Sequence, residues 1–153
     1  MRTVEDTLGL WMSGLLSSEA VVAWAERELA RLDEPPMALF DLVSDGPEKC
    51  FKRAQVEFPY RPTELSYAQQ FAIRAIGVDL ASDESVQPFA SWTARNCIGE
   101  DPTDPLAQLG YLLDHYISDC QNNDGALALI RAQLPSLLVQ CHALAAPYGE
   151  ADA

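Results

Sequence analysis

The chain holds two histidines, His115 and His142, and four cysteines, Cys50, Cys97, Cys120 and Cys141. So few imidazoles sharply limit zinc sites and nucleophilic triads. His115 and Asp119 stand four residues apart, the spacing at which side chains on one helix meet. Such a pair can act as an acid/base or metal couple, and no strong candidate nucleophile stands close by in the sequence. The simpler reading is a surface ion pair worth a few tenths of a kcal/mol. Cys141 and His142 lie about 100° apart around a helix and do not converge on one ion. Asp101 and Asp104 could chelate a divalent cation, but Asp104 reads as a helix cap and no further ligands follow at loop-site spacing. No His-Glu-x-x-His, Gly-x-Ser-x-Gly, phosphate-loop or dinucleotide-binding glycine pattern occurs. Acids are abundant, so a spatial pair of carboxylates for acid/base work stays open. The expectation is a protein that is no enzyme, with no catalytic residue, no cofactor and no metal.

Charge is the stronger signal. Twenty-three acidic residues face ten basic ones in 153, for a net charge of −13, while 48% of residues are hydrophobic. Disordered acidic tails are poor in apolar residues, so a folded acidic globule is expected. Its surface repels nucleic acid and anionic membrane and attracts cationic partners. The longest uninterrupted apolar run, Ala20 to Ala25, is far short of a bilayer span. Thr3-Val4-Glu5-Asp6 does not read as part of a signal peptide. The cysteines are widely spaced with no Cys-x-x-Cys, which suggests four reduced thiols in the core and a cytoplasmic location.

The elements that must position these residues read as helices. The length suits a single helical domain over 1–153, an all-α bundle of about seven or eight helices. Thr3 to Asp6 forms a capping box for a first helix that Gly14 ends. Ser17 and Ser18 cap a second, from Glu19 to Leu32. Pro35-Pro36 opens Met37 to Val43, Asp45-Gly46-Pro47 is a turn, and a helix over Glu48 to Phe58 follows. Thr63 caps a long helix to Leu80. Ser82 caps the next, which Pro88 bends or restarts. Asp104-Pro105 reads as cap and first residue of a helix to Cys120. Asn122 to Gly125 is a turn, and a last helix runs from Ala126 to Ala146, with Pro135 expected to kink or split it. No stretch alternates as a strand does.

On a helical wheel Leu106, Leu109, Leu113, Tyr116 and Cys120 share one side, which is core, with Ile117 at its edge. Tyr111, His115 and Ser118 point away, with Asp104 on the same side and Asp114 and Asp119 flanking. Glu100 and Asp101 extend this face from the preceding acidic loop. An aromatic ring among carboxylates suits a basic partner. The candidate partner-binding residues are therefore Glu100, Asp101, Asp104, Tyr111, Asp114, His115 and Asp119. The acids Asp79, Asp83 and Glu84 rank second.

Gly14-Leu15-Leu16-Ser17, Val22-Ala23-Trp24-Ala25-Glu26, Asp33-Glu34-Pro35-Pro36 and Leu39 to Leu42 together resemble small helical immunity proteins. Bacteria make these beside polymorphic or contact-dependent growth-inhibition toxins. The likeness covers about a quarter of the chain. It implies a cytoplasmic antitoxin that binds one cognate toxin domain and blocks it; no binding residue carries over from the matched segment. Independently, a nuclease toxin needs a basic groove for phosphates, which a small acidic protein can plug with fast, steered capture. The competing readings are a helical adaptor or regulator with another basic partner, and a helical enzyme using paired acids.

Overall fold

The computed structural model describes residues 2–149. Among them there are seven α-helices and no strand: α1 (Val4–Met12), α2 (Ser18–Arg31), α3 (Met37–Lys52), α4 (Tyr67–Ile76), α5 (Asp83–Asn96), α6 (Pro105–Asp114) and α7 (Asn123–Ala145). A single π-helical turn, His115–Asp119, extends α6, and a 3₁₀ turn, Ala146–Tyr148, follows α7. The protein is all-α. Its helices gather into two compact units, one ending at Leu65 and the other beginning at Ser66.

In the first unit, α1 starts on the expected capping box: Thr3 Oγ1 accepts from Asp6 N at 3.1 Å and Asp6 reaches back to Thr3 N. Ser17, rather than Ser18, caps α2. The core joins Leu8, Val21, Trp24, Leu39, Leu42 and Phe58. A polar chain crosses the three helices: Trp11 Nε1 donates to Ser18 Oγ at 3.1 Å, and Ser18 donates to Glu48. That hydrogen bond holds the Glu48 carboxyl below its usual range. Gly46 breaks α3 with φ of 78°, where the sequence places a turn, because only glycine adopts that backbone without strain. The second half of α3 ends at Lys52, not at Phe58. Arg53 then turns back to pair with Asp41 at 3.0 Å and with Asp45.

Residues 59–65 have no regular secondary structure, and Thr63 among them lies against α1. Thr63 N donates to Glu5 O at 2.9 Å and Thr63 Oγ1 to Asp6 Oδ1 at 2.9 Å. Thr63 is therefore bound to α1 and does not cap α4. Ser66 does that, in a capping box with Gln69. The helix it opens is shorter than its apolar pattern suggests and stops at Ile76.

In the second unit α4 packs along α7, and α5 packs on α6. Phe71, Val86, Phe89, Leu106, Leu109 and Leu113 lie at the centre. Trp92 stacks on Tyr67 at 5.6 Å between ring centroids, and the Arg74 guanidinium lies over the Trp92 ring at 4.5 Å. Pro88 is accommodated within α5, and Pro135 does not split α7. Apolar residues on both sides of Pro135, Ile130 and Leu134 before it and Cys141 after it, are buried in one core, and packing of this kind outweighs one lost backbone hydrogen bond. The helix begins at Asn123, three residues earlier than expected, because Asn122 Oδ1 caps it by accepting from Gly125 N at 2.9 Å. By length and composition, Asn123–Tyr148 is apolar enough to cross a membrane. One face of it supplies core residues to this unit.

Three cysteines, Cys50, Cys97 and Cys141, are buried as expected, and the fourth is not: Cys120 is exposed. Burial pushes all three buried thiols up, Cys141 to about 11 from an ordinary 9.0. The folded state therefore keeps its thiol protons to higher pH than the unfolded chain does. Stability from this source is complete below pH 9 and is lost as pH rises toward 11. Melting temperature should fall across that window, and the fall should be shallower in Cys141→Ala. An equally steep fall in the variant would assign it to other groups.

α6 sits close to α5 because residue 110 has no side chain. A Cβ at Gly110 would lie 2.4 Å from Cys97 Cβ and 2.9 Å from the Tyr67 hydroxyl. Gly110→Ala should destabilise the protein by about 1–3 kcal/mol through overpacking, although alanine is the better helix former. Urea unfolding followed by circular dichroism would measure this, and an unchanged or raised midpoint would refute the close-packing account.

Candidate partner-binding face

The candidate face is assembled at both ends of α6. Asp104 Oδ1 accepts from Leu106 N at 2.8 Å and Pro105 follows as first helical residue, so the helix starts where the sequence says. Leu106, Leu109 and Leu113 are buried, which fixes the rotation of the helix. Its opposite side carries Leu112, 41% exposed, and His115.

The loop before α6 is held by its own acids. Asp101 Oδ1 accepts from Thr103 N at 2.9 Å and from the Thr103 hydroxyl at 2.8 Å. The backbone bond, then the hydroxyl, holds the Asp101 carboxyl below its usual range, so it stays charged. Tyr111 ties this loop to the helix, since its hydroxyl donates to Glu100 O at 2.9 Å. Its ring packs partly against the core. Tyr111 is thus less an open anchor than the tether that joins the loop acids to the helix acids.

Past α6, Asp114 Oδ1 accepts from the Ser118 hydroxyl at 2.8 Å, and His115 Nδ1 lies 2.9 Å from Asp119 Oδ2. The expected His115–Asp119 pair is present, with side chains 60% and 70% exposed. The backbone here is π-helical, with Cys120 N donating to His115 O at 3.1 Å. Gln121 then takes a φ of 49° and Asn122 N reaches back six residues to Tyr116 O at 2.8 Å.

This extra residue per turn overturns one sequence expectation. A uniform 100° step places Cys120 on the core side. The wider turn carries it outward, where its Sγ lies 3.5 Å from His115 Nε2. Tyr116, expected in the core, and Ile117, expected at its edge, both pack on it half-buried.

Of the seven residues expected at the face, Glu100, Asp101 and Asp104 come from the loop and cap, Tyr111 and Asp114 from α6, and His115 and Asp119 from the π turn. Between Cys97 and Cys120 there are five carboxylates and no lysine or arginine. Sequence reasoning missed Leu112 and Ile98, the latter 74% exposed in the same loop as Glu100. Both are apolar and look like core on composition alone. The second-ranked acids are partly spent: Asp83 pairs with Arg131 of α7, and Asp79 Oδ1 accepts from Ala81 N.

The arrangement offers surface charge and an open thiol. His115 turns one nitrogen to Asp119 and the other to Cys120, so the three do not converge on one ion. Among the described residues no group of three or more His, Cys, Asp or Glu is placed to hold a metal. The first unit has a separate cavity of about 290 Å³ between Val4, Trp24, Leu32, Pro36, Leu39 and Tyr60. No protein-family model matches the chain, and no curated protein or solved structure matches it either.

Tyr111→Phe removes only the hydroxyl tether. It should cost about 0.5–1.5 kcal/mol in urea unfolding and should speed amide hydrogen exchange in the loop from Gly99 to Thr103. Loop exchange at the wild-type rate would mean that Tyr111 does not hold the acidic loop on α6.

Proposed function

We infer that this protein is an immunity protein: it binds a cationic toxin domain, such as a nuclease, and neutralises it by occlusion. The observation that carries the reading is the tether from Tyr111 to Glu100. It holds the loop of Glu100 and Asp101 on α6, in a stretch that also carries Asp114, Asp119 and the exposed Leu112 and Ile98 and has no lysine or arginine. Apolar side chains within a charged surround are the composition of an interface with a few anchors and a polar rim. The overall charge of −13 supports capture of a basic partner, since complementary fields raise the association rate. An all-α fold suits the resemblance in the first helices.

The test begins with capture of the bound protein from an extract of the native host and its identification. The partner should carry a basic surface. Binding kinetics then follow for Asp114→Lys, Asp119→Lys and Leu112→Ala. Each charge reversal should slow association and flatten its salt dependence, because rim charge acts mainly through the on-rate. Leu112→Ala should instead speed dissociation, at a cost of about 1–2 kcal/mol. Melting curves should stay near wild type, since all three side chains lie off the buried side of the helix. Wild-type rates for all three would remove this face from the interface, and a partner of acidic surface would overturn the reading.

A further inference from the structure

The π turn adds Cys120 to the His115–Asp119 pair, whose spacing a regular helix would also join. Asp119 and Cys120 follow His115 by four and five residues, and both reach it. The protonation pattern follows from the partners. An ionised carboxylate can only accept, so the nitrogen facing Asp119, Nδ1, carries the ring proton in the neutral imidazole. Nε2 then presents its lone pair, and what faces it at 3.5 Å is the Cys120 thiol. A thiol, a base in contact with it and a carboxylate orienting that base form the general pattern of an assisted nucleophile. The pattern is open to solvent, for Cys120 is exposed and both partner side chains are more than half exposed. Cys50, Cys97 and Cys141 have neither feature: all are buried, and none donates to or accepts from an imidazole in the described hydrogen bonds.

We propose that Cys120 is a thiol–disulfide exchange site for small disulfides, with His115 as its base and Asp119 as the positioning residue for that base. In the step, Sγ of Cys120 attacks one sulfur of the disulfide R–S–S–R. The new Sγ–S bond forms as the S–S bond breaks. The thiol proton passes to His115 Nε2 and, through solvent, to the departing R–S⁻, which leaves as R–SH. Cys120 ends as the mixed disulfide, one half of the reagent ends as a thiol, and no further oxidant is required. The Asp119 carboxylate on the same imidazole and the net charge of −13 disfavour anionic reagents, so neutral disulfides are the preferred class. The step requires no protein partner, and it goes beyond the binding reading.

The experiment uses the full-length folded protein and 4,4′-dithiodipyridine, a neutral disulfide whose release is followed by absorbance. One thiol per chain should react fast, and peptide mass mapping should place it at Cys120. His115→Gln, which cannot take up the proton in the same way, should react at least about tenfold more slowly. Asp119→Ala should also be slowed, and Asp119→Glu should recover most of the rate, since the longer carboxylate still spans one turn. In denaturant, Cys120 should react alike in all variants, showing that the difference belongs to the fold. Simple electrostatics gives the opposite sign for Asp119→Ala, because losing a negative neighbour favours attack by the thiolate. A faster Asp119→Ala, a wild-type rate in His115→Gln, or a fast thiol at another cysteine would each overturn the proposal.

Discussion

In the second unit, the close approach of α6 to α5 decides what the surface can be. Gly110 removes the one Cβ that would stand against Cys97 and Tyr67. With that contact made, Leu106, Leu109 and Leu113 are buried, and the helix can turn only one way. Everything on its far side follows, including the exposure of Leu112 and the outward direction of His115. Tyr67 belongs to the same constraint, since its hydroxyl donates to Leu106 O at 3.1 Å inside the core. Burial pushes that hydroxyl well above its usual range, so it remains a donor.

The acidic stretch from Glu100 to Asp119 illustrates how carboxylates with local tasks can still form a field. Asp101 orders its own loop, Asp104 caps α6, Asp114 takes a hydroxyl and Asp119 takes an imidazole. None of these partners is a lysine or arginine, so the local bonds organise the charge without cancelling it. The contrast lies in the first unit, where Asp41 and Asp45 share Arg53, and at Asp83, which pairs with Arg131. A cationic partner would meet its strongest attraction where carboxylates are bonded only to neutral groups or to a histidine.

The π turn is the irregular element of this surface. π turns are rare, and they recur at functional sites because they redirect side chains that a regular helix would hide. Here the turn is closed on its far side by Gln121 in the left-handed region and by the Asn122 cap of α7. A Cβ at Gly125 would press on Asn122 and on the Tyr116 ring. The geometry that exposes Cys120 is therefore held by the packing of the next helix's first turn and not by the residues of the π turn alone.

Local chemistry made much of this protein readable. Thr3 with Asp6, Ser17, and Asp104 with Pro105 mark helix starts that are found in place, because a cap is satisfied by residues within one turn. Gly46 marks its break for the same reason, and the spacing of His115 and Asp119 sufficed to pair them. Positions whose partners are far along the chain were not readable. Thr63 looks like a cap but is engaged by Glu5 and Asp6, almost sixty residues away, which leaves capping to Ser66. Pro135 looks like a break but lies in a helix whose packing runs through it. Cys120 looks like core because a helical wheel assumes a constant step. One extra residue in the turn, set by tertiary packing, moved it to the surface and against His115.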